Sequence, residues 1–91
     1  MIRTIDSHTH LADPAFDPDR DVVIRRARDG GLIAAVAIGE SLSAAARARE
    51  IAQRNPGFVY YTAGVHPHEA AEFDSARDLE GIRSEVERGA V

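Results

Sequence analysis

Ninety-one residues provide for one small domain, which hides only a modest part of its surface and is marginally stable unless well packed. The chain has no cysteine, which excludes a disulfide framework and thiolate-bound zinc and leaves histidine and carboxylate to hold any metal. A formal charge of −4, with every basic residue an arginine, argues against broad capture of nucleic acid or anionic membrane while leaving room for a local basic or metal-lined pocket.

Short β-rich runs alternate with longer helical patterns, the mark of βαβ units on a parallel sheet. A first strand is predicted over 2–8. The loop after it leads to a helix opened by Asp17-Pro18, where aspartate suits the cap and proline the first turn, and ended by Gly30-Gly31. The second strand, over 32–38, is an almost unbroken apolar run, as expected when both faces of a parallel strand are covered. Gly39 closes it, and Ser41 or Ser43 can cap an alanine-rich helix that reaches Arg54 before Asn55-Pro56-Gly57 breaks it. A third strand over 58–65 carries β-branched and aromatic residues and runs into His66-Pro67-His68. A third helix over 75–88 places Leu79, Ile82 and Val86 at helical spacing on one face. Gly89 then reads as its C-cap, and Ala90-Val91 as the start of a fourth strand.

The strongest chemical signal is Asp6-Ser7-His8-Thr9-His10, where the first strand meets its loop. Side chains two apart on a strand share a face, so His8 and His10 can aim ring nitrogens at one point, and divalent ions such as zinc accept imidazole nitrogen. Ligands and catalytic groups of α/β sheets and barrels gather beyond the carboxyl ends of the strands, where this pair lies. Two side chains meeting only solvent would account for a bare His-x-His pattern; the strand-end position favours metal. Asp6 has the same parity one pleat deeper, and is expected to support a ligating imidazole or to bond to backbone.

Gly64-Val65-His66-Pro67-His68 ends the third strand on the same rim, with glycine permitting close backbone approach and proline stiffening the loop. His66 and His68 are the candidate substrate-binding residues, His66 the better placed to meet a phosphate or a bound metal; a rigid turn with His68 in solvent is the plainer alternative. Glu40 also follows a strand, but Ser41 and Ser43 beside it read as helix-start chemistry. No glycine-rich phosphate loop and no nucleophile elbow is present, so hydrolysis by such a chain would be metal-assisted.

In this order and at this βα spacing, the motif 5–11, the loop Phe16-Asp17-Pro18-Asp19-Arg20, the helix end around Arg26-Ala27-Arg28 with Gly30, and Gly64-Val65-His66-Pro67-His68 resemble the TatD-type metal-dependent hydrolases. The resemblance implies the first three βα units of a (β/α)8 barrel, with residues 1–91 forming an incomplete part of one domain, since such a barrel takes about 250 residues. It also implies a deoxyribonuclease or related phosphodiester hydrolase using two divalent ions of zinc, magnesium or manganese, with DNA or a similar phosphodiester as substrate and no obligate protein partner. By the same resemblance His8 and His10 bind one ion and His66 lies near the substrate phosphate. The bridging glutamate and the later histidines and aspartate of the family are expected beyond Val91, so the catalytic residues are unassigned and the chain alone is expected to be inactive or nearly so. Another His-x-His barrel amidohydrolase and a non-enzymatic truncated product are the alternatives. No signal-peptide progression or bilayer-length apolar run occurs, and a cytoplasmic location is expected, with no membrane partner.

Overall fold

The structure is a computed structural model describing residues 3–65 and 75–91. His66, Pro67 and His68 lie outside the described residues. The elements follow as β1 (Thr4–Thr9), a 3-10 turn (Pro14–Phe16), α1 (Arg20–Asp29), β2 (Leu32–Ala37), α2 (Leu42–Arg54), β3 (Val59–Tyr61) and α3 (Ser75–Glu87). The strands form one sheet in the order β1-β2-β3, and both pairings are parallel. Three βα units with parallel neighbouring strands are the arrangement that opens a (β/α)8 barrel.

The first helix begins later than Asp17-Pro18 suggests. Asp13 accepts the Ala15 N–H at 2.8 Å and starts the 3-10 turn, while Asp17 instead pairs with Arg20 at 2.7 Å. Arg20 also donates to the carbonyls of Leu11 and Asp13, so this one guanidinium gathers the loop and fixes where α1 starts. Asp19 occupies the N-cap position without a side-chain bond. Of the two serines that could cap α2, Ser41 is the one that does, its hydroxyl accepting the Ala44 N–H at 3.1 Å.

The third strand is much shorter than 58–65. The Thr62 N–H still reaches the Ala37 carbonyl at 3.0 Å, but β2 ends there because Gly39 turns the chain toward α2, and among the described residues no neighbouring strand backbone continues the ladder. Gly39 is the tightest point of this turn: a Cβ there would lie 2.1 Å from the Thr62 carbonyl oxygen and 2.8 Å from the Ala45 backbone.

The core, Leu11, Ile24, Ala35, Ala37, Ala48, Ile51, Phe58, Val59 and Tyr61 among others, lies between one face of the sheet and the helices. Alanines at 35, 37 and 48 bring α2 close to the sheet, which makes this core thin. On β3 the alternation is clear, with Val59 and Tyr61 buried and Tyr60 exposed on the opposite face.

The apolar stripe of α3 does not decide how that helix docks. Leu79 and Val86 are each 58% exposed, and the face turned inward carries Asp78, Gly81 and Glu85. Glu85 forms an ion pair with Arg49 of α2, with Arg88 3.9 Å away, and its main-chain carbonyl accepts the Tyr61 hydroxyl at 3.0 Å. Gly81 makes room for Leu42, whose Cδ1 would lie 2.5 Å from any Cβ at this position. The Val91 N–H donates to the Tyr61 carbonyl at 2.9 Å, on the side of β3 away from β2.

Candidate metal-binding rim

At the carboxyl end of β1 the ladder is irregular: Asp6 pairs with Ala35 and Thr9 with Ala37, three steps on one strand against two on the other. This is a bulge, which re-aims the side chains within it, so simple parity does not fix where His8 points. Two bonds restore order just beyond: the Thr9 hydroxyl donates to the Val36 carbonyl at 2.9 Å, and the Thr9 carbonyl accepts the Ile38 N–H at 2.9 Å. Thr9 is therefore pinned between the two histidines.

Both histidines are exposed, and their rings meet edge to face with centroids 5.1 Å apart and planes at 77°. Two imidazoles on one tetrahedral ion, with metal–nitrogen distances of about 2.1 Å, would hold their centroids roughly 5 Å apart. The separation found thus fits half of a divalent site. Among the described residues no group of three His, Asp or Glu side chains is assembled that could hold an ion.

Asp6 accepts the backbone N–H of His8 at 3.1 Å, so its carboxylate braces the main chain that carries His8. On the neighbouring strand ends, the Gly39 N–H donates to the Thr62 hydroxyl at 3.2 Å, which fastens β3 to β2 at the same rim. A small cavity of about 190 Å³ opens there between Ile38, Glu40, Thr62 and Val65. Glu40 is exposed at its edge. The two threonines escaped sequence reasoning because a hydroxyl bonding across a sheet leaves no pattern in one strand, and the bulge had no glycine to signal it.

A larger concavity lies elsewhere among the described residues. About 520 Å³ opens at the amino-terminal end of the sheet, between Arg3, Arg28, Ile33 and Phe58. No helix among the described residues is long and apolar enough to cross a membrane.

Residues 5–91 match the family described as TatD related DNase. The chain is similar to proteins named 3'-5' ssDNA/RNA exonuclease TatD from several bacteria. That of Erwinia billingiae (strain Eb661) is 38% identical over 88 residues, covering 94% of this chain and 34% of the relative. That of Edwardsiella piscicida is 40% identical over 80 residues, 86% of this chain and 31% of the relative. That of Cronobacter turicensis (strain DSM 18703 / CCUG 55852 / LMG 23827 / z3032) is 39% identical over 84 residues, 90% of this chain and 32% of the relative. The chain spans about a third of the length of these curated relatives. With the family matched along nearly all its residues, the chain belongs to the TatD related DNases.

Proposed function

We propose that this chain supplies the first ligand pair of a divalent-metal centre in a cytoplasmic hydrolase that cleaves nucleic-acid phosphodiester bonds, with DNA as the best-fitting substrate. The observation that carries the reading is the His8–His10 ring pair, 5.1 Å between centroids, at the carboxyl end of β1 in a TatD-family chain. The relatives named as exonucleases of ssDNA/RNA support the substrate class.

When bound, divalent ions in such a centre supply an activated water and offset the charge developing on the phosphoryl oxygens. His8 and His10 would each give one ring nitrogen to an ion of zinc, magnesium or manganese, two such ions making the complete centre. Asp6 braces the backbone under His8, and Thr9 locks the strand end between the ligands, so the pair is held by β1 and β2 together. His66 and His68, by their position after β3 in the sequence, are the substrate-side candidates. Two imidazoles alone hold an ion weakly, and the chain by itself should show little or no turnover.

The test is calorimetric titration of the chain with zinc and manganese, beside His8→Ala and His10→Ala. Each substitution should abolish the binding, and hydrolysis of a single-stranded oligonucleotide by the chain should stay near background. Binding that survives in both variants removes the assigned site.

A further inference from the structure

The arginines of this chain are not evenly used. Arg20, Arg49, Arg54, Arg77, Arg83 and Arg88 each pair with a carboxylate, and Arg47 donates to the Ala12 carbonyl. Arg3, Arg25, Arg26 and Arg28 have no acidic partner among the described residues, although acidic residues outnumber basic ones by 15 to 11.

Three of these four, Arg3, Arg25 and Arg28, share one region, and Arg26 on α1 lines neither of its concavities. Arg3 and Arg28 border the concavity of about 520 Å³, which has no acidic residue in its lining among the described residues. Arg28 also borders an adjoining one of about 290 Å³, together with Arg25, Arg54 and the single carboxylate Asp21. Among the described residues lining these two concavities there are thus four arginines against one aspartate, with Arg54 partly offset by Glu50, in a molecule whose net charge is −4. Arg28 is also positioned: its guanidinium carbon sits 4.4 Å from the centroid of the Phe58 ring. Stacking of this kind engages the guanidinium face and leaves the N–H groups of its edge directed outward, the geometry that grips phosphate oxygens two at a time.

From this we infer a second surface, at the amino-terminal end of the sheet and the adjoining side of α1, that holds the phosphate backbone of a single-stranded nucleic acid through Arg3, Arg25 and Arg28. It lies at the opposite ends of the strands from His8 and His10 and needs no metal. Its role is to retain a strand, with no part in cleavage. The choice of nucleic acid as the anion rests on the proposed function; the basic surface itself does not.

The test is fluorescence anisotropy of a labelled single-stranded oligonucleotide with the chain in EDTA, across a series of salt concentrations. Arg3→Glu and Arg25→Glu, both at exposed positions, are compared with Arg83→Glu, an equal charge change on α3. In each of the first two variants, removal of one arginine–phosphate pair should lower the log–log salt slope by about 0.7 and weaken binding about fivefold at roughly 0.1 M salt. Arg83→Glu should leave the slope unchanged. The double variant His8→Ala/His10→Ala should bind the strand as the parent does, which separates this surface from the proposed metal centre. Equal weakening by Arg83→Glu would reduce the effect to net charge and overturn the assignment. So would an unchanged slope in both test variants, or inorganic pyrophosphate binding as tightly as the oligonucleotide, which would mark a compact anion site instead.

Discussion

At Gly39 three segments of backbone converge: the exit of β2, the first turn of α2 and the carbonyl of Thr62. The Gly39 N–H meets the Thr62 hydroxyl, so the same residue closes the rim by a hydrogen bond and by having no side chain. Gly39→Ala would drive a methyl against main-chain atoms that cannot swing aside, and should cost about 3 kcal/mol in a urea titration. A loss below a few tenths of that figure would show the rim to be far more yielding than its packing implies. Tyr61 gives a second prediction at this scale. Burial first, and then the nearby Glu85 carboxylate, raise its phenol above the ordinary value of 10.0. The folded state thus keeps a proton that the unfolded chain has begun to release, and stability is intact below pH 10 and falls as pH rises beyond it. Urea midpoints across the alkaline range should show this decline in the parent and lose most of it in Tyr61→Phe. The nearness of the His8 and His10 rings could be read from the sequence because residues two apart in an extended segment stay neighbours in the fold. The roles of Thr9 and Thr62 could not, since their partners, Val36 on β2 and Gly39 in the turn after it, are distant in the chain.

At the scale of elements, β2 and α2 were the most legible. An apolar run bounded by glycines has few other places to go, and the Ser41 cap and the Asn55-Pro56-Gly57 break are local chemistry. Where distant groups outvoted local signals, the expectations missed. Arg20 set the start of α1 by reaching back to Leu11 and Asp13, and the end of β2 stopped the β3 ladder. For α3 the periodicity of Leu79, Ile82 and Val86 was real, yet the helix docks by its other face because the Arg49–Glu85 pair and the Tyr61 hydroxyl anchor it there. The Glu85 carboxylate is nearly buried, with Oε2 lacking a hydrogen-bond partner among the described residues, whereas Arg49 keeps about a fifth of its side chain in solvent. Removing the acid leaves a partly buried cation, and the partial exposure tempers the full penalty, to about 2 kcal/mol. Glu85→Ala should therefore raise hydrogen exchange of α3 amides by roughly thirtyfold, with α2 amides much less affected. Equal acceleration in both helices would mean that α3 opens only with the rest of the molecule.

For the molecule as a whole, the two faces of the sheet are unequal. One is covered by helices through a thin, alanine-rich core; the other leaves Tyr60 43% exposed, and Ile5 on the β1 edge is 61% exposed. In a closed barrel the uncovered face is the filled interior. Here it stands beside the free edge of β1, whose main-chain groups on the side away from β2 have no neighbouring strand among the described residues. An edge with an apolar face next to it is a template for pairing with another copy. Sedimentation velocity should therefore show the weight-average mass of the chain rising with concentration, and salts that strengthen apolar burial, such as sulfate, should enhance the rise. Tyr60→Ser and Ile5→Thr together should suppress it while leaving the core residues Ala35, Val59 and Tyr61 untouched. A double variant that associates as strongly as the parent would move the interface to the other exposed apolar stripe, Leu79 and Val86 on α3.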